Sequence, residues 1–129
     1  MGTLEERRRY VRLDTRLRIN YRVLPQSPRM ENSETLDVSG GGIRIFLTEP
    51  LKAGTLLELE IFFPEQATPV RCQGRIVWVE EFAIYQGTRE ERKDMEAGVE
   101  FSDITPQDRD HIIKHVILGY AHKREGETS

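Results

Sequence analysis

The chain has 129 residues, 37% of them hydrophobic and 32% charged, with a single cysteine, Cys72. That supports one domain around one core and excludes an internal disulfide or a multi-cysteine zinc or iron–sulfur site. With no apolar run near the roughly 20 residues a bilayer requires, it also gives no spanning helix. The net charge of −3 is uneven: residues 1–22 hold seven arginines against three carboxylates, a net +4, and the rest carries −7.

Residues 1–12 read as a flexible basic arm ending in Arg7-Arg8-Arg9-Tyr10-Val11-Arg12. The arm has no apolar stretch of signal-peptide type, so the expected location is the cytoplasm. From Leu13 to Val23, Leu13, Thr15, Leu17, Ile19, Tyr21 and Val23 fall on one parity and Asp14, Arg16, Arg18, Asn20 and Arg22 on the other, which predicts a strand with one buried face. Pro25 and Pro28 mark a turn. A second, weakly patterned strand within residues 29–38 ends at Leu36, where Asp37-Val38-Ser39-Gly40-Gly41-Gly42 breaks the chain. Ile43, Ile45 and Leu47 resume the alternation.

After the Pro50–Gly54 turn, Leu57 to Phe63 form a fourth strand and Pro64 stops it. Val70 to Val79 form a fifth, with Val70, Cys72, Ile76 and Trp78 as burial candidates and Gly74 marking a bulge. Residues 85–96 read as a solvated hairpin connection. Gly98 to Phe101 is a short last strand. Thr105, Pro106 and Asp108 then open a helix as N-cap, first residue and dipole partner. Its apolar stripe is Ile112, Ile113, Val116, Ile117 and Tyr120. The expected fold is all-β with one helix: a six-stranded antiparallel β-barrel closed by a C-terminal α-helix over residues 13–122, with a fraying tail at 123–129.

Two segments could bind something. Four guanidiniums within six residues (Arg7, Arg8, Arg9, Arg12) offer planar donor forks suited to phosphates and to the O6/N7 edge of guanine. Taken alone, they also fit a solvated arm. In Asp37-Val38-Ser39-Gly40-Gly41-Gly42, three glycines permit positive φ and close approach of backbone N–H groups. Asp37 could accept from a guanine N1–H/N2–H₂ edge, and Ser39 offers a hydroxyl. Taken alone, this is also a tight turn with an Asx motif.

Together, Arg8-x-x-x-Arg12 and, after 24 intervening residues, Asp37-x-Ser39-x-x-Gly42 resemble the paired motif of the PilZ domain, a six-stranded β-barrel receptor for the bacterial messenger cyclic diguanylate, c-di-GMP. The likeness spans roughly residues 6–118. It includes Pro50-Leu51-x-x-Gly54, Gly74-x-x-Val77 and Gly98-Val99-x-Phe101. The resemblance implies that Arg8 and Arg12 contact phosphates and guanine edges, that Asp37 and Ser39 bond a guanine, and that Gly42 keeps the turn open. Arg7, Arg9 and Gly41 are further candidates, and Trp78 lies either near the ligand or in the core. An arginine before the first motif, here Arg7, goes in the family with two bound ligands rather than one. The resemblance thus implies a receptor rather than an enzyme. It needs no cofactor beyond two c-di-GMP per chain and acts on an unidentified effector protein.

Other candidates are weaker. His111 and His115 have zinc-compatible spacing but no third ligand, and read as solvent-facing. Cys72 reads as a buried structural thiol. Glu80-Glu81 and Glu90-Glu91 are not placed like catalytic acids. The alternative function is a small β-barrel binding RNA or single-stranded DNA through its arm. That requires exposed aromatics among the basic residues, and only Tyr10 and Tyr21 lie near them.

Overall fold

The structure is a computed structural model that describes residues 10–25 and 27–128, with side chains as far as residue 122. In chain order it contains β1 (Leu13–Asp14), β2 (Arg18–Val23), β3 (Glu31–Ser39), β4 (Gly42–Leu47), β5 (Leu56–Ile61), β6 (Val70–Gln86), β7 (Arg89–Asp103) and the helix α1 (Pro106–Thr128). All pairings are antiparallel, in the order β1-β3-β2-β5-β6-β7-β4, and β4 pairs again with β3. That last pairing closes β2 to β7 into a barrel-like ring. Alternation sets what faces inward: Ile19, Tyr21, Ile45, Leu57, Leu59, Ile61 and Ile76 are wholly buried.

The strand predicted from Leu13 to Val23 is interrupted at residues 15–17. Thr35 explains the break. Its hydroxyl is fully buried, accepts from the Leu17 N–H at 2.9 Å and donates to the Thr15 carbonyl at 2.7 Å. A side chain thereby satisfies backbone groups that the ladder leaves unpaired.

The predicted solvated hairpin connection at 85–96 is exposed as expected but consists of strand rather than loop. β6 and β7 run beyond the ring as a two-stranded ribbon, paired from Glu81↔Met95 to Gln86↔Arg89, and only Gly87 and Thr88 turn. Cross-strand charge supports it, with Lys93 Nζ 3.3 Å from Glu81. Phe82, Ile84 and Tyr85 are exposed on it. The bulge expected at Gly74 is present as a register shift between Gln73 and Gly74.

Helix α1 starts as expected: the Thr105 hydroxyl accepts from the Asp108 N–H at 3.1 Å. Its apolar stripe is narrower than the sequence suggests. Ile112 and Val116 are buried at the end of the ring, whereas Ile117 and Tyr120 are exposed by 59% and 43%. The helix continues through residues 123–128, which the sequence assigns to a tail. No helix among the described residues is long and apolar enough to cross a membrane.

Candidate functional site

The site is built on the β3–β4 hairpin. The chain does not break at Leu36: Asp37, Val38 and Ser39 complete β3, Gly42 opens β4, and the turn is Gly40–Gly41 alone. Among the described residues positive φ occurs at Gly54 and Gly87, so the glycines at 40–42 are not there for a left-handed backbone. Gly42 is required by proximity: a Cβ there would lie 2.1 Å from the Val99 carbonyl oxygen on β7. Ser39 is 3% exposed. Its oxygen accepts from the N–H groups of Gly41 and Gly42 and its hydroxyl reaches the Gly42 carbonyl, each at 3.2 Å. Gly41 and Ser39 thus brace the turn from within.

A two-residue turn fixes the register. Ser39 pairs with Gly42, and counting back puts Asp37 opposite Arg44. Arg44 pairs across β7 with Gly98, and Gly98 with Trp78 on β6. Asp37, Arg44, Gly98 and Trp78 therefore form one transverse row on the outer face. Trp78 is not core. It is 38% exposed, and its indole covers Gly98 so closely that a Cβ there would lie 2.1 Å from Nε1.

Asp37 sits between two guanidiniums, its side chain 10% exposed. Arg12 Nη1 donates to Oδ1 at 2.7 Å. Arg44 Nε lies 3.1 Å from Oδ2, yet its N–H is not aimed at that oxygen, and this buried donor has no hydrogen-bond partner. Arg44 Nη1 is also 3.6 Å from Glu96. The structure thus joins Arg12 and Asp37, which are 25 positions apart, and adds Arg44, which the sequence reading missed. On an alternating strand Arg44 looks like any outward polar residue; the hairpin register was the signal that could have found it.

The end of the arm is docked on the body. The Tyr10 ring lies over the Gly40–Gly41 turn, and Arg109 of α1 donates to its hydroxyl at 2.9 Å. Tyr120 donates to the Arg12 carbonyl at 2.5 Å. Arg7, Arg8 and Arg9 lie outside the described residues.

The remaining candidates fall away from this row. His111 and His115 are not solvent-facing: both pack edge-on against Phe63, and His115 Nδ1 lies 2.5 Å from Glu65 Oε1. Burial raises the Glu65 pKa, but its own backbone N–H and His115 outweigh this and leave it lowered. No group of three or more metal-ligating side chains among the described residues is arranged to hold an ion. Cys72 is buried, and burial pushes its thiol up to about 12. Tyr10 is taken by the turn and Arg109, and Tyr21 is wholly buried, so neither offers a face for a stacked base.

A family model described as the PilZ domain matches residues 6–118. The chain belongs to the PilZ domain family. No curated protein matches it in sequence. Among solved structures it is similar to the PilZ domain with c-di-GMP of YcgR from Escherichia coli, with a TM-score of 0.71 and 17% identity, covering 95% of this chain and 98% of that one. It is also similar to the Bacillus subtilis inhibitor of motility MotI/DgrA, with a TM-score of 0.71 and 22% identity over 96% of this chain. MrkH from K. pneumonia matches with a TM-score of 0.69 and 16% identity over 88% of this chain. This PilZ chain spans 58% of the MotI structure and 50% of the MrkH structure. At these identities the likeness concerns the fold.

Proposed function

We propose that this PilZ domain is a receptor for c-di-GMP that binds it on the row running from Asp37 to Trp78 and passes the bound state to an effector protein. The observation that carries the reading is the Arg12–Asp37 contact at 2.7 Å beside the glycine turn. It joins a phosphate-seeking fork and a guanine-edge acceptor at one point of the barrel rim. Family membership and the fold shared with the ligand-bound domain of YcgR support it.

On binding, Arg12 leaves Asp37 for a ligand phosphate, with Arg8 beside it. Asp37 accepts from the guanine N1–H and N2–H₂, and Ser39, Gly41 and Gly42 hold the turn against the base. Trp78 supplies an indole face at the far end of the row. Arg7, with Arg9 nearby, offsets the four phosphate charges of a stacked ligand pair, so two c-di-GMP bind per chain.

Calorimetric titration with c-di-GMP tests this. The parent saturates at two ligands per chain and Arg7→Leu shifts toward one. Asp37→Ala loses preference for c-di-GMP over c-di-AMP, because adenine lacks the donors that Asp37 reads. A parent that binds neither dinucleotide overturns the receptor reading, and saturation at one ligand overturns the role of Arg7.

A further inference from the structure

We infer that Arg44 is a positioning residue that holds the Asp37 carboxylate in its guanine-reading orientation once Arg12 has left it for the ligand. The inference rests on the c-di-GMP reading and deepens it.

Both Asp37 oxygens face a cation: Oδ1 lies 2.7 Å from Arg12 Nη1 and Oδ2 lies 3.1 Å from Arg44 Nε. The two cations differ in tether. Arg12 belongs to the arm and its side chain is 58% exposed, whereas Arg44 stands on β4 within the closed ring and its side chain is 36% exposed. Withdrawing Arg12 alone would leave a nearly buried carboxylate without a counter-ion, were Arg44 absent. An unpaired buried charge is strongly unfavourable, so the side chain would turn toward solvent and away from the base.

Arg44 is placed to prevent that. Its Nε–H is a buried donor with no hydrogen-bond partner, and Asp37 Oδ2 is already within hydrogen-bonding distance. A small rotation of either side chain aims the one at the other. Glu96, 3.6 Å from Nη1, restrains the guanidinium from its other side. This leaves Oδ1 and the second lone pair of Oδ2 for the guanine edge. The Trp78 indole lies down on Gly98, the neighbour of Arg44 in the row, and so bounds the far side of the space beside Asp37 that the base would enter.

The test is calorimetry of the parent, Arg44→Gln and Arg44→Lys with c-di-GMP and with c-di-AMP, alongside a thermal melt of each free protein. Arg44→Gln is expected to weaken c-di-GMP at least about tenfold, the loss of one charge-assisted hydrogen bond. It should leave c-di-AMP binding nearly unchanged, so that base selectivity collapses. Arg44→Lys keeps the charge beside Oδ2 and is expected to recover most of the affinity and selectivity. Equal weakening toward both dinucleotides overturns the inference, because it marks Arg44 as a phosphate contact. So does an Arg44→Gln protein that matches the parent, or an Arg44→Lys protein as weak as Arg44→Gln. A parent that binds no dinucleotide removes the receptor reading itself, an outcome seen before any variant is compared.

Discussion

Gly42→Ala separates the structural from the ligand-binding content of the second motif. A methyl group at Gly42 would sit 2.1 Å from the Val99 carbonyl oxygen and 3.1 Å from the Glu100 Cα. Carbon–oxygen contacts lie at about 3.3 Å or beyond, so β4 and β7 would have to part locally by on the order of 1 Å. Neither neighbour can give way cheaply: both are backbone in the pair Gly42↔Glu100, next to Ile43↔Val99 in the core-facing row. Such overpacking costs about 3 kcal/mol, the upper part of its usual range. In a domain of this size that lowers the melting midpoint by about 10 °C. The assay is a thermal melt of the ligand-free protein followed by circular dichroism. A midpoint within about 2 °C of the parent would refute the close approach of these strands, and would leave ligand contact as the reason for a glycine at this position.

Arg12→Ala is expected to do the reverse, weakening c-di-GMP by at least about tenfold in calorimetry while moving the ligand-free melting midpoint by no more than about 2 °C. The contact is half-exposed and Asp37 keeps Arg44. Thr35→Val leaves the Leu17 N–H and the Thr15 carbonyl without their partner at the strand break; chemical denaturation should show a loss of about 1–3 kcal/mol, and an unchanged midpoint would remove Thr35 from that role. Cys72 should resist thiol reagents at pH 8 until the protein unfolds. Its folded pKa of about 12 lies above the ordinary 9.0. Its contribution to stability is therefore intact below pH 9 and is lost as pH rises toward 12. Melts from pH 8 to pH 11 should decline more steeply for the parent than for Cys72→Ala.

The ring and the helix start were legible because burial on one face writes a period into the sequence. Leu57, Leu59 and Ile61 alternate inward, and Thr105 caps α1 as its spacing suggests. What was not legible lacks that pressure. The ribbon beyond Glu81 and Met95 is exposed, so burial writes no clean period into it: Phe82 and Ile84 stand opposite Asp94 and Arg92, and Lys93 reaches Glu81 across the strands. The break at residues 15–17 depends on the hydroxyl of Thr35, about twenty positions away, which no local pattern announces. In the site, the resemblance to the family named the residues of both motifs, and the structure brings two of them, Arg12 and Asp37, into contact. Arg44 could not, because its importance comes from standing opposite Asp37, and that register follows only once the turn is known to be Gly40–Gly41. The true reason for Gly42 was hidden in the same way, since it lies in a neighbouring strand rather than in the turn.

The most direct measurement is a crystal structure of the chain soaked or grown with c-di-GMP. The account predicts a guanine edge on the Asp37 carboxylate, Arg12 moved from Asp37 Oδ1 onto a phosphate, and the base beside the Trp78 indole. A dinucleotide bound elsewhere on the barrel, or one bound here with the 2.7 Å Arg12–Asp37 contact intact, would contradict it.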